Sequence, residues 1–205
     1  MSVTSPAAEF AELVNTVGEL EDRFIKAHLA QPKQLTPSPA EVLDVAAYVV
    51  LAHGAFEDFV EGLALLTLDQ TVTRWTYERK ISRCTAALLL HQDAPNSREI
   101  SLSSFDLIRK ALEAAKEQVS GIVKDNHGIE TRHLRQMFAP LGIDVPRDPI
   151  LTSSLDSIVQ IRHQWAHRYR FGTKVIKSTS DVKIAMGDCL RLANKLTDDV
   201  VALLV

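Results

Sequence analysis

Apolar residues along this chain recur every three or four positions, the period of an α-helix, and strand-like alternation is nearly absent. Phe10, Leu13, Val17, Leu20 and Phe24 keep that spacing and predict a first helix from about Pro6 to Ala30, broken by Gln31 to Pro37. Ser38, Pro39 and Glu41 then form a start signal: a serine cap, a proline at the first helical position and an acid three residues on satisfy the free amides. The helix that follows carries Val42, Val45, Val49, Ala52, Phe56, Phe59, Leu63 and Leu66, a seam that has to be buried along its length.

Helix-forming sequence resumes over Val72 to Gln92 and, after a Pro/Asn/Ser-rich loop from Asp93 to Ser104, over Phe105 to Lys124. Asn126, His127 and Gly128 predict a turn, and a short helix from Glu130 should stop at Pro140, Leu141 and Gly142. Asp148 and Pro149 cap and open a helix to Tyr169, Gly172 punctuates, and Val182, Ala185, Cys189, Ala193, Leu196, Val200 and Leu203 mark a terminal helix. No internal repeat appears, and the connections are too short for interdomain linkers. The expectation is an all-α fold, an antiparallel bundle of about five long helices plus short ones, forming one domain over residues 1–205.

Composition narrows the function classes. At 205 residues a core can form without disulfide or metal staples, and Cys84 and Cys189 lie far apart with no CxxC spacing, so a reduced, cytoplasmic setting is expected. The first residues carry Glu9 and Glu12 and lack the cationic start of a secretory signal. The richest apolar stretch, Val45 to Phe56, contains His53 and is far shorter than the roughly 20 residues a bilayer requires, so no membrane partner is expected. The net charge of -3 hides an asymmetry: Ser157 to Ser180 holds five Lys and Arg and no Asp or Glu, while the remainder sets 18 Lys and Arg against 26 Asp and Glu. That window is either an anion-binding patch or a solvated basic turn. A second basic cluster, Arg74, Arg79, Lys80 and Arg83 beside Trp75 and Tyr77, reads as a polar outer face.

Chemistry concentrates in the helix ending near Tyr169. Leu151, Leu155, Ile158, Trp165, Ala166 and Tyr169 share one face, and Arg162 falls in its middle. A guanidinium there has to be paired or line a cavity, since burying it alone would cost several kcal/mol. Glu57 and Glu61 are the candidate partners for an ion pair. His163 and His167 sit at i and i+4, suited to a general base with a supporting donor, to surface positions without a role, or to zinc. Position 164 is Gln rather than Glu and no third ligand lies nearby, so neither a metal nor another cofactor is expected.

The string Arg162-His163-Gln164-Trp165-Ala166-His167 resembles the HEPN signature, an arginine, a polar residue that is often Asn, His or Asp, and a histidine usually after a small residue, with four residues here between Arg162 and His167. VVLAHGAFEDFVEGLAL at 49–65 resembles the long early helix of these domains, and NHGI at 126–129 with PLGI at 140–143 resembles the RiboL-PSP type, so that the likeness spans about residues 40–200. The resemblance implies a metal-independent endoribonuclease of the toxin or phage-defence kind. Arg162 and His167, with His163 in support, would carry catalysis, giving a 2′,3′-cyclic phosphate and a 5′-hydroxyl. Arg168, Arg170 and Lys174 would hold the RNA backbone and Glu57 would pair with Arg162. Residues five apart on a helix point about 140 degrees from each other, so the resemblance also implies a homodimer whose two motifs line one cleft. Two other readings stay open: an RNA-binding or partner-binding HEPN module without turnover, partnered by an antitoxin or a nucleotidyltransferase, and a purely structural bundle.

Overall fold

The computed structural model describes residues 5–30, 37–91, 103–167 and 178–204, with the side chains of Ala166 and His167 outside the description. Every element among the described residues is helical. Eight α-helices follow one another: α1 (Pro6–Phe24), α2 (Lys26–Leu29), α3 (Pro39–Thr73), α4 (Arg83–Leu90), α5 (Ser104–Lys124), α6 (Thr131–Phe138), α7 (Pro149–His167) and α8 (Thr179–Leu204). Five of these are long, as the spacing predicts, and the α-helical bundle expected from sequence is the observed architecture.

The helices begin where the chain supplies acceptors for free amides. The Ser38 hydroxyl accepts from the Glu41 amide at 3.1 Å, with Pro39 in the first turn of α3. Asp148 does the same for α7, accepting from the Ile150 amide at 3.0 Å, and those backbone donors hold its carboxyl below the usual range. Ser103 caps α5 through the Asp106 amide at 3.2 Å. The predicted stop after α6 also forms. Gly142 takes φ +73°, and a Cβ there would lie 2.9 Å from the Ala87 methyl, so both backbone conformation and the close approach of α4 require glycine.

The helix-forming sequence from Val72 onward is divided in two over its described residues, up to His91. α3 runs on to Thr73, loosens into a π-helical turn over Arg74–Glu78, and breaks at Arg79, which takes the left-handed conformation at φ 58° before α4 starts at Arg83. The cause is tertiary. Trp75 stacks on Phe105 of α5 with centroids 6.0 Å apart, and the Arg79 guanidinium lies 3.8 Å over the other ring centroid of that pair, Phe105. Of the second basic cluster, Arg79, Lys80 and Arg83 are exposed, as a polar outer face requires, and Arg79 in addition covers the Phe105 ring.

α3 is the axis of the bundle, flanked by α1, α5, α7 and α8. Val45, Val49, Ala52, Phe56, Phe59 and Leu63 are buried as the seam predicts and Leu68 extends the burial, whereas Val42 and Leu66 of the predicted seam are only half-buried. α7 sends Leu151, Leu155, Ile158 and Ile161 into the same core against α3 and α8. Both cysteines are free and buried, and burial pushes the Cys189 thiol up to about 12.

Candidate functional site around Arg162

The packing of α7 on α3 brings Arg162 to the middle of α3. Its neighbours Ile158 and Ile161 are buried, whereas Arg162 is only partly covered, at the rim where the core gives way to surface. On α3, His53, Glu57 and Glu61 stand at i, i+4 and i+8 and form one polar stripe beside it. The loop between α5 and α6 completes the surround. Asn126 donates from its amide to Glu61 Oε1 at 2.8 Å across 65 residues of sequence, and His127 acts electrostatically on Glu57.

Charge and burial set the protonation of this cluster. His53 is 3% exposed, and burial, reinforced by the Arg162 charge, lowers its pKa to about 4. Its Nδ1 lies 3.8 Å from Glu57 Oε2. With the ring neutral near pH 7 this is a polar contact and not an ion pair. Glu57 is shifted upward, first by burial and next by the charge of Glu61, while Arg162 and His127 pull it back down. Two carboxylates thus face a guanidinium and an imidazole, and the guanidinium offsets the mutual repulsion of the acids.

The pH dependence of stability follows from these shifts. The unfolded chain takes up a proton on His53 as pH falls below 6.5, and the folded chain refuses it until about 4. The stability tied to the neutral ring is complete above 6.5 and lost through that window, amounting to about 3 kcal/mol. Glu57 acts in the opposite direction, since its folded carboxyl holds a proton more tightly than the unfolded one and its contribution declines as pH rises above 4.5. Urea unfolding in steps from pH 7 to pH 4 is expected to show a steep acid limb that His53→Gln flattens. An equal slope in the two proteins contradicts the assignment.

The remaining sequence-predicted residues divide by position. His163 is exposed on α7. His167 is the last residue of α7, and its side chain lies outside the described residues, as do Arg168, Arg170 and Lys174. Glu57 is brought into the electrostatic reach of Arg162. Glu61, the other candidate partner, has its carboxylate engaged by Asn126. Sequence reasoning missed His53, Asn126 and His127 as members of this cluster. The signal for His53 was present, a polar residue one turn before Glu57 in an apolar seam, whereas nothing local to 126–127 points to α3.

Among the described residues no group of three or more His, Cys, Asp or Glu is arranged to hold a metal ion. None of the helices is long and apolar enough to cross a membrane among those same residues. The comparison with known families decides the identity of this arrangement, because the RiboL-PSP-HEPN family model matches residues 18–202. The chain belongs to the RiboL-PSP-HEPN family. The match takes in α3, the Asn126–His127 loop and the Arg162 turn, all the elements that build the cluster. HEPN membership marks the chain as an RNA-related helical module. No curated protein matches this HEPN chain, and no solved structure does.

Proposed function

We propose that this HEPN protein is a metal-independent endoribonuclease acting through Arg162 and His167. The observation that carries the reading is Arg162 itself. It is a partly buried guanidinium on α7, at the rim of the core, whose charge reaches His53 and Glu57 on α3. A cation at the edge of the buried face of α7, beside a buried imidazole and a half-buried carboxyl, breaks the local packing rule, and such breaks gather at functional sites.

In the proposed reaction His167 accepts the proton of the ribose 2′-hydroxyl or returns one to the leaving 5′-oxygen, with His163 one turn away in support. The 2′-oxygen attacks the adjacent phosphorus and the bond to the 5′-oxygen breaks, leaving a 2′,3′-cyclic phosphate and a 5′-hydroxyl. Arg162 stabilises the charge that builds on the pentavalent phosphate, positioned by Glu57. Arg168, Arg170 and Lys174 hold the flanking backbone, so binding weakens steeply with salt and depends little on sequence.

The reading includes a homodimer. Leu43 and Val50 are exposed on α3, spaced by seven residues on the helix face that continues into Glu57, with exposed Leu51 beside them. An apolar stripe that leads into the polar cluster suits a second copy, which would bring the partner's motif to the same groove. A cytoplasmic toxin or defence effector, restrained by an antitoxin or a nucleotidyltransferase, is the role this activity fits. The chemistry is tested by incubating the purified chain with unstructured RNA in EDTA. Cleavage is expected to persist at the rate seen without chelator, and cleavage that needs an added divalent metal would overturn the proposal.

A further inference from the structure

A cavity of about 750 Å³ opens between α5, α6 and the loop that joins them, reaching His91 at the end of α4. It shares a wall with the Arg162 cluster. Asn126 and His127 both line the cavity, while Asn126 is fixed by Glu61 and the charge of His127 reaches Glu57.

The lining describes its ligand. Three imidazoles, His91, His127 and His133, stand around a floor that includes Ile122 and Met137, and Gln136 adds an amide with both a donor and an acceptor. The His133 ring sits so close over Gly128 that a Cβ there would lie 2.9 Å from its Nδ1. That nitrogen is buried and has no hydrogen-bond partner. It faces Gly128 and not the cavity, so the packing fixes the ring. The flat rings, the apolar Ile122 and Met137 and the exposed Gln136 amide suit a nucleobase, which offers a π-face and a polar edge. The volume falls inside the roughly 300–1,000 Å³ of small-ligand sites. Asp125 and Arg135, both exposed, line the same cavity, so its charged groups balance and do not mark it as a phosphate site.

We propose that this cavity is a subsite for one nucleobase of the RNA strand, next to the nucleotide whose phosphate is cut. The inference rests on the ribonuclease reading for its place on the strand, and it would add a base contact to backbone contacts that are themselves neutral to sequence.

The test is titration of the full chain with the 5′-monophosphates of adenosine, guanosine, cytidine and uridine, following the histidine ring resonances by NMR. Saturable shifts of His91, His127 and His133 are expected with at least one nucleotide. Gly121 lines the cavity on α5, and a Cβ there meets nothing within 4 Å, so a side chain can start from this position and Gly121→Phe serves as the bulky variant. That variant is expected to lose the shifts, and Gln136→Ala, on the exposed side of short α6, to weaken binding by about fivefold. Silence of all three rings, or undiminished binding by both variants, overturns the subsite. Nucleotide binding needs no turnover. Nucleotide binding by a chain that cuts no RNA therefore refutes the ribonuclease reading and leaves the base site standing, while RNA cleavage with silent histidines does the reverse.

Discussion

Replacing His167 with alanine is expected to lower the rate of RNA cleavage by about 10²- to 10⁴-fold, the usual worth of a positioned general acid or base. Arg162→Ala should cost about 10²- to 10³-fold, the scale for removing one electrostatic stabiliser of a transition state. Arg162→Lys is expected to recover only part of that loss, because an ammonium lacks the planar fork that spans two phosphate oxygens. The Arg162 substitution also changes the ground state. Without the guanidinium, burial and Glu61 push the Glu57 carboxyl up with less opposition, and the His53 ring loses the charge that helps keep it neutral. Circular dichroism and thermal melts separate the readings. Both alanine variants should remain folded and helical, since Arg162 is only partly buried and sits beside, not within, the layer of Ile158 and Ile161. Full cleavage by either variant would remove that residue from the chemistry. Global unfolding of Arg162→Ala would favour the purely structural bundle.

A charge placed far from the cluster should also slow cleavage. Leu43 is half exposed on α3, fourteen residues and so about 21 Å along the helix from Glu57. Leu43→Glu therefore leaves the Arg162 surroundings untouched, and the folded monomer loses little by it because the position already meets solvent. In a dimer closed over Leu43, Val50 and Leu51 the same carboxylate would be buried without a partner, at a cost of several kcal/mol. Sedimentation at micromolar concentration is expected to give twice the chain mass for the wild type and the single chain mass for Leu43→Glu. Cleavage should fall at least tenfold with it. A monomeric wild type that cuts RNA contradicts the composite groove.

How much of this was legible in the sequence varies with the range of the interaction. Helix starts at Ser38-Pro39 and Asp148-Pro149 are local chemistry, and the caps form as the residues dictate. The stop at Gly142 is local in its left-handed backbone, and the approach of α4 reinforces it. Arg79 is the opposite case: nothing in Tyr77 to Lys80 marks a left-handed residue, and the break makes sense only once Phe105 has arrived from α5. The candidate site divides the same way. Arg162 stood out because it interrupts an apolar stripe of its own helix. The Asn126 contact with Glu61 joins residues 65 apart in sequence, and no periodicity carries that information. His53 fell between the two. Its spacing with Glu57 and Glu61 was visible, but its burial and its loss of basicity depend on α7 lying alongside.

The most direct test of the central claim is cleavage of an RNA carrying one 2′-deoxy residue at a mapped cut, run in EDTA with end-group analysis. Attack by the 2′-oxygen predicts that the deoxy linkage survives, while every other cut leaves a 2′,3′-cyclic phosphate and a 5′-hydroxyl. Scission at the deoxy linkage, or fragments ending in a 5′-phosphate and a 3′-hydroxyl, would mean that water or a metal hydroxide attacks instead, and the account built on Arg162 and His167 would be wrong.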